Sequence, residues 1–173
     1  INHGVEELSS GITQGAVIPI AMVARDGDGW IDCTCSGKHW GLYGAAGLLL
    51  LRDSQVLLQH RAPWVHNGDT WGIPGGARDS HESFIDAALR EAHEEIGITS
   101  DEVEVLHESS EVHGIWSYHT IIARAHRACA PIAANQESLE VRWVDRSEVT
   151  ALPLHPAFGK NWSALYEIIQ TLP

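Results

Sequence analysis

The chain has 173 residues, a formal net charge of −12, 44% hydrophobic residues and seven tryptophans. A chain of this length is most simply one domain, and its apolar content is sufficient for a sizeable core. So acidic a composition argues against nucleic-acid polymers and anionic membranes as partners. The longest apolar run, at 45–51, is much too short to span a bilayer.

The beginning of the chain divides into an arm and a strand. Residues 1–15 are polar and aperiodic, and we expect a flexible N-terminal arm ahead of a single domain at 16–173. Residues 16–24, AVIPIAMVA, predict a strand in which Pro19 favours an edge position or a bend. The opening sequence INHGVEELSS lacks the features of a signal peptide, so we expect a cytoplasmic protein.

A cysteine-containing stretch follows a predicted turn at 26–29. Residues 30–40 fit either a second hairpin or a loop. Cys33, Cys35 and His39 lie close together in this stretch and could form one corner of a zinc site. A structural zinc site needs four ligands, so we favour reduced thiols, in agreement with the odd total of three cysteines.

Two apolar strands come next, at 44–51 and 55–60, and the short polar segment between them predicts a hairpin. A glycine-rich stretch at 71–76, WGIPGG, then provides a loop where the backbone can approach a ligand closely.

The most informative stretch is 76–98, GARDSHESFIDAALREAHEEIGI. Ser80 is predicted as the N-cap of a helix in this stretch, and Gly97 as the residue that ends it. The apolar residues of this helix recur at the spacing of one buried face: Ile85, Ala88, Ala92 and Ile96.

Three acidic residues lie on one face of this predicted helix. Glu91, Glu94 and Glu95 stand at i, i+3 and i+4, so their carboxylates converge. Such a cluster of like charges invites a hard divalent cation, most naturally magnesium that also binds substrate phosphates. The alternative is an ordinary solvated acidic face.

The polar and glycine positions of this stretch, from Gly76 through Glu82 and Arg90 to Gly97, match the Nudix box G-x5-E-x7-R-E-U-x-E-E-x-G-U, where U is apolar. The chain therefore resembles the Nudix (MutT-like) hydrolases, although Ala92 is small for its position. The resemblance implies an α/β/α sandwich with a mixed sheet and a catalytic loop-helix-loop. It also implies hydrolysis, with Mg²⁺ or its substitute Mn²⁺, of a nucleoside diphosphate linked to another moiety.

The resemblance also assigns residues. Arg90 is expected to hold the glutamates in position, and Glu82 to orient Arg90 or a metal-bound water. Arg61 and Arg78 are candidates for binding substrate phosphates, with a surface ion pair as the alternative for Arg61. The implied metal ligands are the three glutamates and a backbone carbonyl: Glu91, Glu94, Glu95 and Gly75.

Residues 102–106 and 116–124 predict two further strands. We expect a turn between them, formed by Glu111, His113 and Gly114, to stand near the substrate, which makes His113 a third substrate-binding candidate. The irregular spacing of the histidines in this region argues against a histidine metal site.

Residues 135–145 predict a half-buried strand in which Leu139, Val141 and Trp143 share one face. In MutT-like enzymes a glutamate just before such a strand is a metal ligand or the catalytic base. Its offset from the tryptophan points to Glu137, with Glu140 as the substitute. A helix at 162–169 is predicted to close the domain.

The substrate is reached by elimination, because the markers of several Nudix subfamilies are absent. A nucleoside triphosphate, with an oxidised one such as 8-oxo-dGTP in view, is the leading expectation, and Trp64, Trp71 or Trp116 could stack on its base. ADP-ribose, a dinucleotide, a non-catalytic nucleotide sensor and a helix that binds calcium structurally remain as alternatives. The general base is either Glu91 or Glu137, and a homodimer is left open.

Overall fold

The computed structural model describes residues 25–173. The arm expected at 1–15 and the strand expected at 16–24 lie outside the described residues. The strands are β1 (Trp30–Asp32), β2 (Lys38–Trp40), β3 (Ala45–Arg52), β4 (Gln55–Arg61), β5 (Trp71–Gly72), β6 (Gly75–Ala77), β7 (Val103–His113), β8 (Trp116–Ala125) and β9 (Ser138–Asp145). The α-helices are α1 (Phe84–Ile96) and α2 (Pro156–Thr171).

β3 is the central strand of a mixed sheet. It pairs in parallel with β8 from Ala45 to Leu51, and antiparallel with β6 at its start. It pairs with β4 only at the hairpin end, through Leu51–Val56 and Arg52–Gln55. β4 then leaves β3 and pairs with β5 and β9, while β7 flanks β8. The two central strands therefore diverge, and β6 lies against the half of β3 that β4 has left.

Helices cover both faces of this sheet. Alternate residues of β3 point to opposite faces, so Leu48 and Leu50 pack with α1 while Leu49 and Leu51 pack with α2. The α/β/α sandwich expected from the sequence is confirmed. No helix within 25–173 has the length and hydrophobicity needed to cross a membrane.

The catalytic helix expected from the sequence begins later than predicted. Its N-cap is Ser83, whose hydroxyl accepts from the Asp86 backbone N–H at 3.0 Å, while the Asp86 carboxylate accepts from the Ser83 N–H. Ser80 was the wrong choice, because its backbone N–H and hydroxyl bond to Asp26 instead. Gly97 ends the helix in the left-handed conformation, with φ 72°, as predicted.

Four other predictions are corrected or sharpened. The ambiguous stretch 30–40 is the hairpin β1–β2, which forms a separate two-stranded sheet. β7 continues to His113, so Glu111 and His113 belong to a strand and only Gly114 lies in the turn, because the pairing with β8 extends to His113–Trp116. The closing helix begins six residues earlier than predicted, at Pro156. In β9 the side chain of Leu139 is exposed, whereas Val141 and Trp143 pack on the α1 side.

His155, which caps α2, provides a pH-dependent contribution to stability. Burial lowers its pKa, and the nearby Arg61 and His66 lower it further. The Nε2 of His155 lies 3.1 Å from the Asn67 amide nitrogen, a donor, so this ring nitrogen accepts and is unprotonated.

We expect the free energy of unfolding to fall as the pH drops below about 6.5, because the unfolded chain then binds a proton that the folded chain resists. His155→Gln should weaken this dependence, as followed by urea unfolding at about pH 7.5 and about pH 5.5. The exposed His126 provides the control His126→Gln. If the free energy of unfolding fell equally between the two pH values in both variants, the assignment to His155 would be contradicted.

Candidate active site

The glycine-rich loop is placed against the start of β3 by the β3–β6 pairing, which matches Gly47 with Gly75 and Ala46 with Gly76. The approach is too close for side chains. A Cβ at Gly75 would lie 2.4 Å from the Ala46 carbonyl oxygen, and one at Gly76 would lie 2.6 Å from the carboxylate carbon of Glu91. The acidic face of α1 is therefore pressed against bare backbone.

Arg90 binds three elements of the site at once. Its Nε and Nη2 donate to the two oxygens of Glu82 at 2.6 and 2.9 Å, the bidentate geometry that suits a guanidinium. Nη2 also donates to the Ala77 carbonyl at 2.8 Å, and Nη1 to Glu91 at 2.5 Å. The hydrogen bonds from Arg90 lower the pKa of Glu82, which stays charged. The predicted link between Glu82 and Arg90 is thus present.

The carboxyl groups of Glu95 and Glu91 lie in poorly solvated positions. The Glu95 residue is 4% exposed, and its carboxylate accepts from the Gly75 N–H at 3.2 Å. Burial, reinforced by the charges of Glu91 and Glu137, raises the pKa of Glu95 to about 8. Burial also raises the pKa of Glu91, against the effect of Arg90. The protein alone therefore disfavours the negative form of both groups, and a bound cation would favour it.

Two further glutamates lie at the edge of this cluster. Glu94 is half-exposed and pairs with Arg25, and with Arg90 at 3.8 Å. Glu137 is exposed in the loop before β9, where its backbone carbonyl accepts from Ala62 N–H, and its charge reaches Glu95. Glu140, the alternative to Glu137 in the sequence analysis, lies within β9 and pairs with Arg142 at 2.6 Å.

The donors of this site are all oxygens, the ligands that hard divalent cations take. Among the described residues, no three of these glutamates bring one oxygen each within 4.8 Å of one another. A cation here would therefore be held by one or two carboxylates, with water completing its shell, as magnesium commonly is. Such a cation would offset the burial that raises the pKa of Glu95.

A family model for the NUDIX domain matches residues 42–166, which contain the loop, α1 and most of the sheet. The chain belongs to the Nudix family. It is a Nudix phosphoanhydride hydrolase, and the stretch from Gly76 to Ile98 is its Nudix box.

Known Nudix proteins resemble this chain over most of its length. A Mycobacterium tuberculosis protein named "Putative 8-oxo-dGTP diphosphatase 3" is 45% identical over 163 residues, which cover 88% of this chain and 75% of that protein. A Bifidobacterium longum nucleoside triphosphate pyrophosphatase/Nudix hydrolase fusion protein is 42% identical, over 86% of this chain but 33% of its own length. The crystal structure of the Nudix hydrolase RenU from M. smegmatis superposes with a TM-score of 0.79 at 45% identity, covering 85% of this chain and 98% of that one.

The two arginine candidates of this Nudix hydrolase differ in their surroundings. Arg61 is the last residue of β4, after a register shift in the pairing with β9; its Nη2 donates to the His66 carbonyl at 3.1 Å, and its buried Nε lacks a partner within 25–173. Arg78 donates to the Tyr43 and Glu82 carbonyls at 2.9 and 2.6 Å, and its guanidinium lies 4.7 Å above the Phe84 ring. Arg78 therefore bonds to residues around the Nudix box, whereas the Nε of Arg61 has no hydrogen-bond acceptor within 25–173.

His113 is placed with the β1–β2 hairpin. Its ring centroid lies 5.1 Å from that of His39 and 5.9 Å from that of Trp116. Two of the tryptophans considered for base stacking are buried in other contacts: Trp71 stacks on His60, and Trp116 stacks on His39. Trp64 is 69% exposed and remains accessible.

Sequence reasoning missed two polar residues beside the carboxylates. Gln59 is fully buried on β4 and approaches Glu95, yet neither of its amide atoms reaches hydrogen-bond geometry with another residue in 25–173. Tyr118 is partly buried; desolvation raises its pKa, and the charges of Glu95 and Glu111 add to the effect. Glutamine inside the apolar strand QVLLQHR was the available signal, because a buried strand gains nothing from an unpaired amide.

Gly76 provides a test of the carboxylate geometry. We expect Gly76→Ala to lower kcat/KM by about tenfold to a hundredfold with the fold retained, because the new Cβ displaces only the flexible end of Glu91. The matched control is Gly72→Ala in the same loop, whose Cβ would meet its nearest neighbour, His155, at an ordinary 3.4 Å. Circular dichroism and steady-state kinetics on both variants make the comparison, and equal activity would contradict the role given to the close approach.

Proposed function

We propose that this Nudix hydrolase cleaves a nucleoside triphosphate to the nucleoside monophosphate and pyrophosphate, with an oxidised nucleotide such as 8-oxo-dGTP as the leading substrate. The observation that carries the proposal is the buried, incompletely neutralised carboxylate pair Glu91 and Glu95 on bare glycine backbone. The M. tuberculosis relative, whose name states an 8-oxo-dGTP substrate, supports the choice of nucleotide.

The proposed cofactor is Mg²⁺, with Mn²⁺ as a substitute. We propose that one or two carboxylates contact it directly and the others through its bound water. The groups in this set are one backbone carbonyl and four carboxylates: Gly75, Glu91, Glu94, Glu95 and Glu137. When bound, the metal neutralises phosphate charge and activates the attacking water. A chain with a net charge of −12 needs this neutralisation to accept a polyphosphate.

The protein side chains have separate tasks in the reaction. Arg90 holds Glu91 and Glu82 in fixed positions, so that the carboxylates do not move apart by mutual repulsion. The buried Nε of Arg61 has no partner in the described part of the chain, and we propose that Arg61 binds a substrate phosphate. As the water oxygen bonds to phosphorus and the bond to the leaving pyrophosphate breaks, the water proton passes to a carboxylate.

Glu91 and Glu137 are the two candidates for that base. Glu91 has a raised pKa, which favours proton acceptance. Its ion pair with Arg90 opposes protonation, because the pair favours the negative carboxylate. Glu137 is exposed, and its charge contributes to the raised pKa of Glu95.

The proposal predicts a large loss of turnover in Glu95→Gln and Glu94→Gln. Each substitution removes one negative charge from the proposed metal site, so we expect kcat/KM to fall by about a hundredfold or more. Glu167→Gln is the matched control, because Glu167 is exposed on α2 at the opposite face of the sheet. Rates at saturating magnesium that equal those of the control would refute the assignment.

A substrate panel tests the nucleotide. We expect hydrolysis, followed by chromatography of the nucleotide products, to be fastest with one triphosphate among canonical and oxidised nucleoside triphosphates, and to release pyrophosphate from it. ADP-ribose, NADH and diadenosine tetraphosphate are assayed beside them in the same way. A preference for ADP-ribose or a dinucleotide would contradict the proposal and would favour a pyrophosphatase that acts on ADP-ribose or on dinucleotides. Tight nucleotide binding without any turnover would favour a nucleotide sensor instead.

A further inference from the structure

The β1–β2 hairpin brings together three side chains that bind soft metals. Cys33 lies at the start of its turn, Cys35 within the turn, and His39 on β2. One donor atom from each lies within 4.8 Å of the other two, and the Cys35 sulfur is 3.1 Å from the His39 Nε2. In a tetrahedral zinc site the usual bond lengths place such donors about 3.5 to 3.8 Å apart. The cluster therefore needs only a small adjustment to surround an ion.

The turn itself holds the two cysteines on one side of the hairpin. The Cys33 N–H donates to the Gly37 carbonyl at 2.9 Å, and the Ser36 N–H donates back to the Cys33 carbonyl at 3.0 Å. Ser36 adopts a left-handed conformation with φ 67°, which tightens the turn. Both cysteines are free thiols, as a thiolate ligand requires.

A fourth donor comes from a different hairpin. His113, at the end of β7, has its ring centroid 5.1 Å from that of His39, and its backbone carbonyl accepts from the Cys33 thiol at 2.6 Å. The turn that follows His113 fits closely on the cysteine turn, since a Cβ at Gly114 would lie 1.8 Å from the Thr34 hydroxyl. The Nε2 of His113 lies 3.9 Å from a Glu111 carboxylate oxygen, so the ring would have to turn to bring a nitrogen to the three donors.

We propose that Cys33, Cys35, His39 and His113 form a Cys₂His₂ zinc site that fastens the β1–β2 hairpin to the β7–β8 hairpin. Two thiolates and two imidazoles select zinc over magnesium, because hard cations prefer oxygen ligands. This site is independent of the acidic cluster on α1. It supplies the fourth ligand whose absence from the local sequence had favoured unligated thiols.

The fold gives this site a structural purpose. Each strand of the β1–β2 hairpin has three residues, and the hairpin forms no ladder with the main sheet. A two-stranded hairpin is marginally stable by itself in water. Among residues 25–173, its buried apolar contact with the rest of the fold is a small cluster of Cys33, Ala45 and Trp116. A bound zinc ion would add covalent-strength links where the apolar contact is smallest.

The first experiment measures metal content and affinity in the full chain, reduced with a phosphine rather than a thiol. We expect one equivalent of zinc per chain that persists in excess magnesium, and a cobalt-substituted form with a thiolate-to-cobalt charge-transfer band. Cys35→Ser and His39→Asn should lower the zinc affinity by about a hundredfold or more and weaken that band. Cys35 is exposed, so its substitution leaves the core intact.

Two further variants complete the test. Cys129→Ala removes a cysteine outside the cluster and should leave zinc binding unchanged. His113→Asn should weaken binding and alter the cobalt spectrum, and an unchanged spectrum would overturn the fourth ligand. Absence of stoichiometric zinc in the reduced protein, or equal affinity in Cys35→Ser, would overturn the site. Glu95→Gln should keep its zinc, so failure of this proposal and failure of the proposed hydrolysis are separable.

Discussion

A single guanidinium connects the parts of the acidic site. Arg90 binds Glu82 from the segment before α1, Ala77 from β6 and Glu91 from its own helix. Loop, strand and helix therefore keep one relative position even though three carboxylates on α1 repel one another. The compensation is incomplete, because the pKa of Glu95 remains raised to about 8. Partial neutralisation of this kind holds the site together and still leaves a favourable place for a cation.

The two halves of β3 have different roles: the first half borders the site, and the second half fills the core. Its first half, Ala45–Ala46–Gly47, is small and lets β6 and the Tyr118 phenol approach; a Cβ at Gly47 would lie 2.2 Å from the Tyr118 hydroxyl oxygen. Its second half is a run of leucines that fill the cores on both faces. The strand can serve both purposes because β4 pairs with it only beside the leucines, which leaves the small half for the glycine loop.

The features that could be predicted from the sequence are those that depend on residues close together in the chain. The spacing of Glu91, Glu94 and Glu95, the left-handed Gly97 and the strand pair around the 52–54 turn are all local, and the structure contains them. The choice between Ser80 and Ser83 as N-cap could not be made locally. Both serines are suitable caps, and a partner distant in sequence, Asp26, bonds to Ser80.

Long-range pairing accounts for the rest. β7 continues to His113 because it pairs with β8 along its whole length. Glu111 and His113, which were predicted to lie in a turn, therefore lie in the strand. Arg25 reaches Glu94, and Gln59 reaches the neighbourhood of Glu95, across 69 and 36 positions, and no period in the sequence relates them. Periodicity locates an element, but the residues that meet between elements depend on the register of the sheet.

The proposed zinc cluster and the carboxylate cluster are linked by aromatic side chains of β8. His39 stacks on Trp116 at 4.2 Å between ring centroids, and Trp116 lies 6.3 Å from Tyr118, whose pKa is raised by burial and by the nearby Glu95. The two donor sets differ in softness, so each would select its own ion from a mixture. Because His39 stacks on Trp116, a metal that fixes the β1–β2 hairpin would also restrain Trp116 and, through it, the neighbourhood of Tyr118. The position of the soft donors therefore bears on hydrolysis without placing zinc in the reaction.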